Sequence, residues 1–137
     1  VFIKNKNLGK YLFFLRDDKP TISNPNMWGL LGGGIEEGES SLEAIIREVK
    51  EETNITIYDL KELGNIMVSH ISKENGKEEI IKNKLFVFLA QTDAMLEEAE
   101  LYEGQRLAYF TIDKAKKLEN LSPPVKEAIE EYEGLLK

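Results

Sequence analysis

The chain has 137 residues, a formal net charge of −7 and no cysteine, and 42% of its residues are hydrophobic. This length suits one folded unit with a real core, so we predict a single domain over residues 1–137. The negative charge argues against DNA or RNA as a partner, because binding to a polyanion depends on basic patches. The lack of cysteine excludes disulfides and thiolate metal sites. No apolar run approaches a membrane span and no signal peptide is visible, although a chain that begins at Val1 need not carry its natural start, so we expect a cytoplasmic protein without a membrane partner.

The first thirty residues predict strands around a loop. The predicted elements are strands over residues 1–4, 10–16 and 27–31, a turn over 5–9 and a proline-containing loop over 17–26. The first two strands are close enough in sequence to form a hairpin. Trp28, the only tryptophan, either stacks on a nucleobase and binds substrate or fills the core, and its apolar neighbours favour the core.

A glycine-rich loop then runs directly into an amphipathic helix over residues 40–53. Ser40 and Glu43 have the spacing of a capping box, which predicts where this helix begins. The apolar stripe consists of Leu42, Ile45, Ile46 and Val49, and a second stripe consists of Glu48, Glu51 and Glu52. At about 100° per residue the stripes lie roughly 120° apart. We therefore expect the helix to bury its apolar face and to hold the three carboxylates outside the core.

Three carboxylates at this spacing repel one another by about 0.2–0.5 kcal/mol per pair. Mg²⁺ or Mn²⁺ would reverse that sign by taking their oxygens as ligands. The glycines allow the backbone to approach a ligand closely, and the helix N-terminus offers N–H groups to an anion. Metal and anion together indicate a metal-bound phosphate. The spacing alone is weak evidence, because Glu127, Glu130 and Glu131 repeat it without a preceding glycine loop.

Residues 33–55 resemble the Nudix box, G-x5-E-x7-R-E-U-x-E-E-x-G-U, in which U is a bulky aliphatic residue. The positions in register are Gly33, Glu39, Arg47, Glu48, Val49, Glu51, Glu52 and Ile55. Asn54 stands where the family usually has glycine, and Leu31 replaces a proline common before the glycines. Because asparagine tolerates a left-handed helix cap, we expect the first departure to affect the turn and not the chemistry.

The resemblance implies an α+β fold of the Nudix type, an α/β/α sandwich with a mixed, curved β-sheet between helices. The box helix would cover one side of the sheet and the C-terminal helix the other. It also implies a metal site formed by Glu48, Glu51 and Glu52 with the carbonyl of Gly32. In the family the box arginine, here Arg47, pairs with the loop glutamate, here Glu39, whereas the bland alternative is an ordinary surface ion pair.

The expected reaction is Mg²⁺-dependent attack of water on a phosphorus of a nucleoside diphosphate derivative, with Mn²⁺ as a substitute cofactor. Glu48 is the first choice for the base, because the family often uses this position. Gly33 and Gly34 are expected to contact the substrate. Arg16 and Arg106 are candidates for gripping its phosphate, although surface solubility is the alternative role for both.

The second half of the chain predicts more strands and two helices. The predicted elements are a connector over 57–62, strands over 63–72, 79–92 and 107–110, a hairpin turn over 74–77, a helix capped by Thr111 or Asp113 that ends near 118, and a helix that begins after Ser122. Every residue from 85 to 90 is apolar, so both faces of this strand are apolar, which predicts a central strand covered on both faces. The only histidine, His70, is interpreted as structural and not catalytic.

Residues 93–105 form an acidic loop. Within it Glu97, Glu98, Glu100 and Glu103 are each able to reach a metal. The triplet of residues 103–105 resembles the family's second acidic site, so we favour Glu103 as a further metal ligand or as an alternative base. The competing interpretation is a solvated acidic loop.

The sequence leaves the substrate open. The proline typical of ADP-ribose hydrolases and the tyrosine typical of diadenosine polyphosphate enzymes are both missing from residues 69–73, and no coenzyme A signature precedes the box. A nucleoside triphosphate or a nucleotide sugar remains as the expected small phosphorylated partner. A non-catalytic module that senses a nucleotide is the alternative function. Homodimers are common in the family, but nothing in the chain fixes one.

Overall fold

The structure is a computed structural model that describes residues 1–74 and 76–136, with the side chains of residues 70–74 left outside the description. The elements are β1 (Phe2–Asn5), β2 (Lys10–Leu15), β3 (Trp28–Gly29), α1 (Ser41–Glu52), β4 (Tyr58–Glu74), β5 (Lys77–Gln91), β6 (Arg106–Phe110), α2 (Ile112–Lys116) and α3 (Pro123–Tyr132), followed by a 3-10 turn at Glu133–Leu135. Strands and helices share one chain in irregular alternation, which confirms the predicted α+β class.

The strands form one mixed sheet in the order β3-β2-β1-β5-β4, with β6 also paired to β2. β1 runs parallel to β5, with Phe2 opposite Leu89, and the other pairs are antiparallel. One face of β5 joins the core cluster that contains Val125 and Ile129 of α3, and the other face joins the cluster that contains Ile45 and Val49 of α1. The sheet therefore lies between α1 and α3, as the sandwich prediction requires.

Strand β5 is central, as predicted from its two apolar faces. It is hydrogen-bonded to β4 on one side and to β1 on the other. Val87 belongs to the cluster on the α3 side, whereas Phe88 belongs to the cluster on the α1 side. The second half of β5 is covered on both faces and must be apolar on both, which explains the hydrophobic run over residues 85–90, whereas the first half is largely polar and exposed.

The predicted connector over 57–62 is wrong, because β4 already begins at Tyr58. The register between β4 and β5 shifts between Tyr58 and Lys61 and again between Glu62 and Gly64, and Asp59 has a positive φ of 53°. These bulges interrupt the alternation of inward and outward side chains, which is the signal that predicts a strand. β3 is also shorter than predicted, because only Trp28 and Gly29 pair with β2.

Two predictions concern residues outside the full description. The strands flanking the predicted hairpin turn pair as far as Glu74 and Lys77, but Asn75 lies outside the described residues. The side chain of His70 lies outside them too, so its structural role stays a prediction. No helix in the described ranges is long and apolar enough to cross a membrane.

Helix α3 packs closely against β4. Gly64 has a φ of +151°, and a Cβ added there would collide with the hydroxyl group of Tyr132, which donates a hydrogen bond to the Asn65 carbonyl at 3.2 Å. Only glycine lets the two elements approach this closely. The helix begins after Ser122 with Pro123 in its first turn, as predicted, although the Ser122 side chain makes no capping hydrogen bond. Thr111 caps α2 by accepting from the Lys114 N–H.

Candidate active site

Helix α1 begins where the sequence predicts. The Ser40 hydroxyl accepts from the Glu43 N–H at 3.1 Å, and the Glu43 carboxylate accepts from the Ser40 N–H at 3.2 Å, so the capping box is complete. The buried stripe differs in part from the predicted one. Ala44 and Glu52 join Ile45 and Val49 inside, whereas Leu42 is 45% exposed. The buried face of the helix is therefore formed by Ala44, Ile45, Val49 and Glu52, and Leu42 lies outside it.

Glu52 is buried, which corrects the expectation that all three box carboxylates lie outside the core. It is 9% exposed, and its Oε1 accepts a hydrogen bond from the Gly32 N–H at 3.0 Å. Burial, together with the negative charges of Glu48 and Glu103, raises the pKa of Glu52 to about 7, against the hydrogen bond from Gly32 and the charge of the Val1 amino group, which lower it. The glycine loop thus receives a carboxylate whose charge is not fully compensated.

Arg47 organises the rest of the box. Its guanidinium binds Glu39 in a bidentate pair, with Nε to Oε2 at 2.7 Å and Nη2 to Oε1 at 3.0 Å. Nη1 donates to Glu48 at 2.8 Å and to Glu51 at 3.1 Å, and Nη2 donates to the Gly34 carbonyl at 2.9 Å. Arg47 holds the pKa of the Glu39 carboxyl below its usual range.

The Arg47–Glu39 pair is not the ordinary surface ion pair of the bland alternative. The side chains of Arg47 and Glu39 are only 21% and 13% exposed. Paired fork geometry with little solvent makes such a contact stronger and more directional than a surface pair. We infer that it orients Glu48 and Glu51, which share the same guanidinium.

The glycines bring backbone to the carboxylates. A Cβ added at Gly33 would overlap the Glu48 carboxylate, so that carboxylate lies directly against the loop. A Cβ at Gly34 would meet no atom within 4 Å, so this part of the loop is open. Gly32 has a φ of +146° and contacts Glu52 through its N–H, while the metal-binding role of its carbonyl stays a prediction.

Glu103 lies in the acidic loop, next to the segment that is hydrogen-bonded to the end of α1. Its charge is among those that raise the pKa of Glu52. The Tyr102 N–H donates to the Glu52 carbonyl at 2.8 Å, and the Gln105 N–H donates to the Leu15 carbonyl at 2.8 Å. Gly104, with a φ of +115°, leaves no room for a side chain beside Phe14. Glu103 is therefore anchored on both sides, which a freely solvated loop would not be.

The carboxylates also decide how a metal would fit. In the described part of the chain, no three acidic or histidine side chains already stand together as a ligand cluster. Arg47 holds oxygens of Glu48 and Glu51. The donor set nevertheless suits a hard divalent cation, because it consists of carboxylate oxygens whose mutual repulsion such a cation relieves.

A cavity of about 560 Å³ adjoins the glycine loop. It is lined by residues 29–35 and by residues 83–88 of β5, among others. Among the described lining residues, Arg16 and Lys84 are the only charged side chains. Two cations and no carboxylate in a chain of charge −7 indicate a site for an anion with an apolar part.

The cavity separates the predicted substrate residues into two groups. Gly33, Gly34 and Arg16 line it, and the Arg16 Nε is held by the Ser23 carbonyl at 2.9 Å. Lys84 was missed, because a lysine on a strand carries no motif. Trp28 and Arg106 do not line this cavity, and their contacts with substrate stay predictions.

Trp28 and Arg106 instead contact each other. Trp28 is 4% exposed and meets the Phe110 ring edge-on at 5.0 Å, so it fills the core and offers no free face to a nucleobase. The Arg106 guanidinium lies 5.2 Å from the centre of the Trp28 ring. A cation over an aromatic ring is a structural contact here.

Comparison with known proteins agrees with this geometry. The family model of the NUDIX domain matches residues 1–132. Similar structures include the MutT protein from Methanosarcina mazei Go1, at 23% identity and a TM-score of 0.70 over 99% of this chain and 91% of that chain. An Ap4A hydrolase of C. elegans is 22% identical with a TM-score of 0.65, over 98% of this chain and 94% of that chain. The E. coli dihydroneopterin triphosphate pyrophosphohydrolase is 21% identical with a TM-score of 0.69, over 96% of this chain and 90% of that chain. A comparison with curated proteins finds no match. The family model covers almost the whole chain and the box carboxylates are in place, so the protein belongs to the Nudix family and is a Nudix hydrolase.

Proposed function

We propose that this protein hydrolyses a diphosphate linkage in a nucleoside diphosphate derivative, with Mg²⁺ as the cofactor and Mn²⁺ as a substitute. The observation that carries the proposal is the buried carboxylate of Glu52, which accepts a hydrogen bond from Gly32 of the glycine loop. Carboxylates at a glycine loop that also lines a cavity with two cationic side chains are the arrangement expected where a metal and a phosphate meet.

The residues of this chain divide the work. Glu52, Glu48 and Glu51 would hold the metal, with Glu103 and the Gly32 carbonyl as further ligands. When bound, the metal would neutralise charge that develops on the phosphate oxygens. Glu48 is our first choice for the base that takes a proton from the attacking water, because Arg47 and the Gly33 backbone fix its carboxylate. Glu103 is the second choice.

The cavity supports a nucleotide as the substrate. Arg16 and Lys84 are placed to bind anionic oxygens, and Phe86 and Leu85 offer apolar walls for a base or sugar. A nucleoside triphosphate or a nucleotide sugar is the class we favour. The similar structures act on Ap4A and on dihydroneopterin triphosphate by name, so both compounds belong among the substrates to test.

The test is product release across a panel of substrates with and without Mg²⁺. The panel contains dNTPs, 8-oxo-dGTP, ADP-ribose, NADH, nucleotide sugars, Ap4A and dihydroneopterin triphosphate. Glu52→Gln is measured in parallel, with Glu131→Gln on the exposed face of α3 as the matched control. Metal-dependent turnover of one class that Glu52→Gln abolishes and Glu131→Gln keeps would support the proposal.

Two other outcomes would overturn it. Nucleotide binding without turnover of any compound would favour the alternative of a nucleotide sensor. Turnover that is unchanged in Glu52→Gln would mean that the box carboxylate has no part in the reaction.

The proposal also includes one domain over residues 1–137 and a cytoplasmic location. The homodimer that is common in the family is checked by light scattering.

A further inference from the structure

Asn54 follows α1 at the box position where the family usually has glycine. Glycine after a helix usually supplies a left-handed backbone. Asn54 is not among the described residues with a positive φ, and Thr53, which follows the last residue of α1, has an extended φ of −146°. The asparagine therefore does not imitate a glycine turn, contrary to the expectation from sequence. Its side chain must be understood from its contacts.

The Asn54 amide bridges two backbone groups of the acidic loop. Its Nδ2 donates to the Glu98 carbonyl at 3.1 Å, and its Oδ1 accepts from the Glu100 N–H at 2.7 Å. One partner is a carbonyl and the other an N–H, so the orientation of the amide is determined. The side chain thus acts as an added peptide group, with one donor and one acceptor.

These bonds extend a short antiparallel ladder. Thr53 forms a bridge with Leu101, and the backbone bonds run from the Tyr102 N–H to the Glu52 carbonyl at 2.8 Å and from the Asn54 N–H to the Glu100 carbonyl at 3.3 Å. Glycine at position 54 would keep both backbone bonds and lose both side-chain bonds. The departure from the family pattern therefore adds half of the hydrogen bonds that the described residues make between 52–54 and 98–102.

The ladder ends one residue before Glu103. On the other side, Gly104 packs against Phe14 and the Gln105 side chain donates to the Arg16 carbonyl at 2.7 Å. Glu103 is held between these two anchors and directly follows Tyr102, whose N–H donates to the Glu52 carbonyl at 2.8 Å. We infer that Asn54 is a positioning residue, which ties the acidic loop to the end of α1 so that Glu103 faces Glu52 and the metal site.

This inference rests on the proposed function for its effect on turnover but not for its effect on the loop. Asn54 is exposed, so its substitution leaves the core intact. Loss of two exposed hydrogen bonds should shift the loop toward open forms by about 5- to 20-fold. Misplacing a carboxylate lowers turnover more than substrate binding, so the effect is expected in kcat and not in KM.

The experiment compares Asn54→Gly and Asn54→Ala with the unmodified protein, each with and without Glu103→Gln. We measure amide hydrogen exchange over residues 98–102, Mn²⁺ affinity by electron paramagnetic resonance, and kcat on the substrate found in the panel. Leu96→Ala is the matched control, since it changes an exposed side chain of the same loop and keeps the backbone groups that Asn54 binds. Asn54→Asp keeps the acceptor for the Glu100 N–H. Its exchange rate, Mn²⁺ affinity and kcat should therefore lie between those of the unmodified protein and those of Asn54→Ala.

The inference predicts faster exchange over residues 98–102, weaker Mn²⁺ binding and about tenfold lower kcat in both Asn54 variants. In proteins that already carry Glu103→Gln, the same Asn54 substitutions should change kcat and Mn²⁺ affinity by less than about twofold. Equal losses with and without Glu103, or unchanged exchange, would overturn it. If no substrate is turned over, the proposed function fails by itself. Exchange and Mn²⁺ affinity still decide whether Asn54 acts through Glu103.

Discussion

Helices α1 and α3 carry three glutamates at the same spacing, but their surroundings differ. In α1, Glu52 is 9% exposed and bonded to the glycine loop, and Glu48 and Glu51 share the Arg47 guanidinium. In α3 the three glutamates, Glu127, Glu130 and Glu131, are exposed. The spacing places carboxylates on one face of a helix, whereas burial of one of them beside a glycine loop makes that face a site.

The comparison gives its largest expected effect when the same change is made in both helices. Glu52→Gln should lower kcat/KM by about 100-fold or more, because it removes a charge that the proposed metal site needs. Glu131→Gln should stay within about twofold, because its charge is solvated. Steady-state kinetics with Mg²⁺ measure both. Similar losses in the two variants would remove the distinction between the helices.

Substitutions on the buried face of α3 should instead lower the stability of the fold. Ile129 is 1% exposed in the cluster that α3 shares with the sheet. Ile129→Ala should lower the free energy of unfolding by about 3 kcal/mol through lost burial and a cavity, with little change in kcat for the folded fraction. Denaturant unfolding checks this, with Glu130→Gln as a control expected to stay within about 0.5 kcal/mol. A large kcat loss in folded Ile129→Ala would give α3 a part in the site.

The pH dependence of stability sharpens the comparison further. Burial raises the pKa of Glu52 from 4.5 to about 7, so the folded protein binds a proton that the unfolded chain has lost. The stabilisation is fully present below about pH 4.5 and is lost as the pH rises through about 7. Between pH 5 and 8, the metal-free protein should therefore lose up to about 3 kcal/mol relative to Glu52→Gln.

The measurement is denaturant unfolding of both metal-free proteins at several pH values. The two proteins differ in no other ionisable group, so the difference isolates Glu52 to first order. A difference that is flat from pH 5 to 8 would show that Glu52 is not buried as the structure has it. The difference in unfolding free energy between the unmodified protein and Glu131→Gln should show no trend with pH.

The smallest expected effect comes from the loop. Gly33→Ala would push the Glu48 carboxylate aside, which a flexible side chain tolerates at little cost in stability. We expect kcat to fall about threefold to tenfold, because the carboxylate is displaced but still present. Gly134→Ala, where an added Cβ meets nothing within 4 Å, is the control. Unchanged kcat in Gly33→Ala would argue against Glu48 as the base.

The local features of the site could be predicted from the sequence. The capping box needs only Ser40 and Glu43, and the order of loop and helix is visible in the chain. The burial of Glu52 could not be predicted in the same way, because its partner Gly32 is 20 residues away. Where a stripe faces depends on what packs against it, which also explains the exposure of Leu42.

The acidic loop shows the same limit. Its position and its acidic character were visible, and the resemblance pointed to Glu103. The ties that fix it run from Asn54 and from β2, tens of residues away. β4 was misplaced at its start because bulges at Asp59 and near Gly64 break the pattern on which strand prediction relies.

The parallel pairing of β1 with β5 has a consequence for the newly made chain. β4 and β5 are neighbours in sequence and pair by closing a short turn, whereas Phe2 must wait for Leu89. Pairing across a long loop is slow, because the entropy of closure is lost before the contacts form. Phe2 and Ile3, which are completely buried at the end, are therefore exposed while the ribosome adds the next eighty or so residues. We expect β1 to be the segment that aggregates or recruits chaperones during synthesis.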